Sequence, residues 1–124
     1  MLILTGADDV TARRVRAALE QRGTRYVQWD VGDFPQRLSL AAATGRESTW
    51  AGRLDDGAEV LRLEDIDAVY YRRPTEFRLP ERLTDEHRRF ALAEARAGFG
   101  GLLISLPARW VNHPSRIADA EFKP

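Results

Sequence analysis

The stretch from Leu2 to Trp29 constrains the fold most. Leu2-Ile3-Leu4 is a short apolar run that stops at Thr5-Gly6, the pattern of a buried strand entering a turn. Asp8 or Asp9 can then cap a helix with Val15, Ala18, Leu19 and Arg22 on one side, and Gly23 stands where that helix should stop. Tyr26-Val27-Gln28-Trp29 reads as the next strand. With a helix between them, the two strands are expected to lie parallel, joined by a right-handed crossover. This β-α-β opening points to an open α/β sheet.

Between Leu38 and Leu63 the period changes. Leu38, Leu40 and Ala42 alternate up to a turn at Thr44-Gly45; Trp50, Gly52 and Leu54 alternate up to Asp55-Asp56-Gly57; Glu59-Val60-Leu61 follows. Two turn signals between alternating runs predict an antiparallel β-meander inserted in the α/β unit. Asp67-Ala68-Val69-Tyr70-Tyr71 is a third core strand. Thr84-Asp85-Glu86 opens a long helix, its two acids suiting the positive end of the helix dipole. That helix is expected to carry Phe90, Ala93, Ala97 and Phe99, and to run through three glycines to Leu106 before Pro107. Arg109 to Asn112 forms a fourth short strand, closed by His113-Pro114, and Ile117, Ala118 and Phe122 alternate with polar residues as if beginning a helix.

Composition narrows the function. The 124 residues suit one core. Nineteen basic residues balance nineteen acidic ones, so no net field draws the chain to nucleic acid or to an anionic membrane, and neither is expected as a partner. Without cysteine there is no disulfide, thiol nucleophile or thiolate metal site. The two histidines lie far apart, and no metal site is expected. The start lacks the long apolar stretch of a signal peptide, and a cytoplasmic setting fits.

The strongest local signal is Arg72-Arg73 before Pro74. Strand neighbours point to opposite faces, so the two guanidinium groups are expected to differ: one in an ion pair with Asp30, Asp33 or Glu76, the other open to a carboxylate or phosphate ligand. Asp33-Phe34-Pro35 and Trp110-Val111-Asn112-His113-Pro114 read as aromatic-plus-proline turns on the same sheet edge, which makes Asp33, Asn112 and His113 further candidates for substrate or domain contact. No catalytic residue is expected, because no nucleophile stands beside His113. Nor is a cofactor site expected. The turn after the first strand has one glycine where a dinucleotide fingerprint needs three, and Asp8, Asp9 and Asp30 suit caps and turns. A phospho-receiver domain is the rival reading, with Asp8, Asp9, Asp56 and Lys123 as its parts. It is weakened because Asp56 sits at a hairpin tip.

LILTGADDVTARRV, WDVGDFP, VYYRRP and WVNHPSRIADAEFKP, in this order, resemble the N-terminal region of the ATP-grasp ribosomal peptide maturases, the microviridin-type or graspetide ligases. The resemblance spans essentially the whole chain. It implies that residues 1–124 are a single pre-ATP-grasp domain: a Rossmann-like, mainly parallel sheet flanked by helices, with an antiparallel meander insertion. It further implies a parent enzyme that uses ATP and Mg2+ to activate Asp or Glu side chains of a precursor peptide and join them to Ser, Thr or Lys as esters or amides. On this reading the ATP-grasp catalytic domains lie outside the chain, which is expected to be a truncation or fragment without catalysis of its own. The partners implied are the downstream ATP-grasp domains, a ribosomal precursor peptide and a second copy in a homodimer. A stand-alone peptide-binding or assembly module remains a further alternative.

Overall fold

In the computed structural model, which describes residues 1–121, the first strand is β1 (Leu2–Thr5), followed by helix α1 (Val10–Gln21) and β2 (Val27–Trp29). The β-α-β start is as expected. Asp9 is the cap of α1, its side chain accepting from the Ala12 amide at 2.9 Å. The meander is β3 (Ser39–Thr44), β4 (Trp50–Asp55) and β5 (Val60–Arg62); β6 (Ala68–Arg72) returns to the first sheet, and β7 (Arg109–Val111) joins it last. The main sheet has the order β2-β1-β6-β7 and is parallel throughout, while β3-β4-β5 is a separate antiparallel sheet.

All four residues of β1 are buried, so their period-2 alternation feeds two cores. Ile3 and Tyr70 pack on Ala12 of α1, with Val15 and Leu19 beside them. Leu2, Leu4 and Val69 face the other way, onto Phe99, Leu102, Leu103 and Leu106 and onto the meander residues Leu38, Leu54 and Leu63. This gives helices on both faces of the sheet, the arrangement the sequence predicts. In α1, however, Ala18 and Arg22 are exposed, and Ala12 is the residue buried.

The second long helix differs more from expectation. It comprises α2 (Asp85–Ala95), a π-helical turn (Arg96–Gly100) and α3 (Gly101–Ser105), continuous through the glycines as expected. Phe90, at 66% exposure, faces solvent with Ala93 and Ala97; the buried line is Ala95, Phe99, Leu102 and Leu103. Phe99 stacks on Phe34 with ring centres 4.5 Å apart and meets Phe77 edge-on. After β7, α4 (Pro114–Glu121) begins earlier than the alternation from Ile117 suggests; Phe122 and Lys123 lie outside the described residues.

Two indoles fasten the meander. Trp29 Nε1 donates to Asp56 Oδ2 at 2.8 Å, and Trp50 Nε1 to Ser105 Oγ at 2.7 Å. Gly52 is required where β4 passes β3, since a Cβ there would lie 2.0 Å from the Ala41 carbonyl oxygen.

Candidate functional site

Parallel sheets usually present their ligand sites at the carboxyl ends of the strands. Here that end is crossed by the segment 73–79, a strap that leaves β6 and runs toward the end of β2. Its path begins with a forced turn. Arg73 has φ +42°, a left-handed conformation uncommon for a side-chain-bearing residue, and its carbonyl accepts from the Gly6 amide at 3.3 Å. Pro74 then prevents further strand pairing.

The strap is clasped from beneath by Asp30, which is 8% exposed. Its carboxylate accepts from the Gly32 amide (3.2 Å), the Thr75 amide (2.8 Å) and Thr75 Oγ1 (2.6 Å). Arg78 closes the clasp by pairing with Asp33, donating to Thr75 Oγ1 at 3.0 Å and sending its backbone amide to the Gly32 carbonyl. Gly32 must lack a side chain, because a Cβ would stand 2.1 Å from Thr75 Oγ1 and 2.6 Å from the Glu76 carbonyl oxygen.

The two arginines lie in different surroundings. Arg72 donates through Nε to both oxygens of Asp9, at 3.3 and 3.0 Å, so its partner is none of Asp30, Asp33 and Glu76. The strand register explains this correction: Thr5 lies opposite Arg72, which brings the turn after β1 alongside the end of β6. The Ala12 amide foremost, and then Arg72, hold the Asp9 carboxyl below its ordinary range against the opposing pull of desolvation. Arg73 is exposed and makes no ion pair among the described residues.

Two depressions flank the strap. On one side a polar cleft of about 430 Å³ is lined by Gly6, Asp8, Asp9, Thr11, Arg72 and Arg73. On the other an apolar groove of about 500 Å³ runs between the strap and the helices, lined by Tyr71, Phe77, Leu92, Ile104, Trp110 and Pro114 among others. Thr75 lines both.

The remaining candidates are divided. Asp33 belongs to the clasp and not to the cleft. The strand order places the Asp33-Phe34-Pro35 turn after one lateral edge, β2, and Trp110 to Pro114 at the opposite edge, β7, so the two turns share the carboxyl end and not one edge. Asn112 is exposed in a left-handed turn (φ +62°). His113 packs edge-on against Trp110 with ring centres 4.9 Å apart, its Nδ1 2.8 Å from Ser115 Oγ. The sequence reading missed Thr75 and Arg78, although Thr75-x-x-Arg78 matches Asp30-x-x-Asp33 in spacing and chemistry. Asp56 of the rival receiver reading lies in the turn between β4 and β5 of the meander, accepting from Trp29, Ala58 and Glu59, rather than at the end of a parallel strand.

The family described as the MvdD pre-ATP grasp domain matches residues 1–118. Among solved structures, macrocyclase MdnB from Microcystis aeruginosa MRC is similar at TM-score 0.86 and 28% identity, over 98% of this chain and 40% of that one. Macrocyclase MdnC from the same organism, bound with precursor peptide MdnA, gives 0.85 and 27% over the same shares. A Chryseobacterium gregarium RiPP-associated ATP-grasp ligase, in complex with ADP and a leader and core peptide, gives 0.82 and 26% over 97% and 37%. The chain thus spans about two fifths of the length of these structures. No match was found among curated proteins.

Proposed function

We propose, since this chain belongs to the family of MvdD pre-ATP grasp domains, that it is the non-catalytic N-terminal domain of an ATP-dependent ligase that macrocyclises a ribosomal precursor peptide through side-chain ester or amide bonds. The supporting observation is the likeness of nearly the whole chain, at TM-score 0.85, to a macrocyclase solved with its precursor peptide. In this reading the strap end of the sheet borders the cleft where peptide and activated carboxylate meet. ATP-grasp domains, a cytoplasmic setting and a homodimer belong to the same proposal.

ATP and Mg2+ would be held elsewhere in such a ligase. Among the described residues no three His, Cys, Asp or Glu side chains converge on a metal-sized site. The polar cleft sets Asp8 and Asp9 beside its arginines, which opposes a magnesium-bound triphosphate by like charge. The donor set therefore does not fit the nucleotide, and no chemical step is assigned to these residues.

The test expresses the gene in its full reading frame, which this reading expects to continue into an ATP-grasp region. Incubated with Mg-ATP and the precursor peptide, the full-length protein should remove one water from the peptide for each ring closed, read by mass spectrometry. The 124-residue chain should remove none. Ring closure or ATP hydrolysis by the short chain, or a full-length protein that leaves acidic peptides untouched, would overturn the reading. Phosphorylation of an aspartate by acetyl phosphate would favour the receiver alternative.

A further inference from the structure

The polar cleft and the apolar groove share a wall at Thr75, and the clasp fixes that wall from below. We infer that they are two halves of one peptide site within this domain: the groove seats an apolar side chain, and Arg73 receives the carboxylate of a nearby aspartate or glutamate. The inference rests on the peptide-ligase reading above and names the part of the peptide this domain grips.

Three observations carry it. First, the charges are unequal. Asp9 is occupied by Arg72 on one side and by the cap of α1 on the other, which leaves Arg73 the cleft's guanidinium without an ion pair among the described residues. Asp8 stands in the same cleft, so a single negative charge is accommodated more readily than the two of a phosphate monoester, which selects carboxylate over phosphate. Second, Arg73 sits at φ +42°, its carbonyl accepting from the Gly6 amide, although the proline that follows favours extended backbone at this position, and unfavourable backbone of this kind marks a side chain whose aim matters. Third, the groove beside it is walled by Tyr71, Phe77, Leu92 and Ile104, a lining that suits an aliphatic or aromatic side chain. Trp110 Nε1, in the same wall, is a buried donor with no acceptor among the described residues. The occupant is therefore a peptide carrying an apolar and an acidic residue close together, and a second copy of this chain is an outcome for the test to exclude.

The test uses the 15N-labelled 124-residue chain and capped peptides, Phe-Asp with none, one or two glycines between the two residues, each beside its Phe-Asn and Ala-Asp counterparts. At one spacing the Phe-Asp peptide should shift both the Trp110 indole and the Arg73 Nε resonances, and bind about tenfold more tightly than Phe-Asn. Arg73→Ala should abolish the preference for Asp over Asn while keeping that for Phe over Ala. Ile104→Glu, at a position 47% exposed, should do the reverse. The inference is overturned if no spacing prefers Asp, if the preference survives Arg73→Ala, if groove and cleft never respond to one peptide together, or if dilution without peptide moves the Trp110 indole as self-association would. Should these results go against it while the full-length protein still closes rings, this inference falls and the ligase reading stands. A full-length protein inactive on acidic peptides would remove the ligase reading instead.

Discussion

Arg72 grips both carboxylate oxygens of Asp9 through its Nε, and in doing so ties the end of β6 to the cap of α1. Arg73, its neighbour in sequence, makes no ion pair among the described residues and meets the turn after β1 through its backbone carbonyl, which accepts from the Gly6 amide. Replacing Arg72 by Ala should lower the melting temperature of the isolated domain, whereas Arg73→Ala should change stability by less than about 0.5 kcal/mol, as exposed substitutions generally do. A pair of thermal melts checks this, and equal losses would count against the assignment.

Asp30→Ala removes an acceptor shared by two amides and a hydroxyl in a buried setting, and should cost about 2 to 3 kcal/mol in chemical denaturation. Gly32→Ala drives a methyl into the strap and should cost about 1 to 3 kcal/mol. In both variants the Thr75 amide should exchange with solvent faster, because the strap loosens before the sheet does.

The sheet, the meander and the caps are legible in the sequence because each follows from local chemistry: period-2 alternation, Asp-Asp-Gly and Thr-Gly turns, and Asp9 or Thr84 before a helix. The partner of Arg72 is not. It depends on the register that sets Thr5 opposite Arg72, across a separation over which local pattern carries no information. The phase of α2 fails for another reason. The true face runs through Leu92, Ala95, Phe99 and Leu102, but small Ala95 gives a weak signal, and Phe90 dominates any hydrophobicity reading while standing in solvent. The strap site escapes notice because Thr75 and Arg78 acquire their roles only once β2 and β6 flank β1.

Phe99 links the helix to the strap through its contacts with Phe34 and Phe77. Phe99→Ala should cost about 3 to 5 kcal/mol, the usual loss for a buried ring. Phe99→Leu should retain the fold with a smaller loss, and urea titration of the two variants distinguishes the ring's contribution from bulk alone.

Asp56 gives the domain an acid-sensitive fastening. The Trp29 indole above all, with the amides of Glu59 and Ala58, holds its carboxyl below the ordinary aspartate range. The unfolded chain therefore takes up this proton at higher pH than the folded one, so the stabilisation is complete above the unfolded value near 4 and is lost as pH falls through the folded value. Asp56→Asn should flatten that part of the acid limb in pH-dependent denaturation. An unchanged acid limb would mean that Asp56 does not contribute to it.

The order β2-β1-β6-β7 also bears on how the molecule assembles. Strand β6 pairs directly with β1, yet the whole meander lies between them in the chain. The meander's hairpins close over short loops, while joining β1 to β6 closes a far longer one and must overcome the entropy of that closure. The three meander strands are thus placed to form early and, once docked through Trp29 and Trp50, to shorten the effective distance between the two central strands. An insertion described in static terms as a separate sheet becomes, in kinetic terms, the splint on which the parallel sheet is completed.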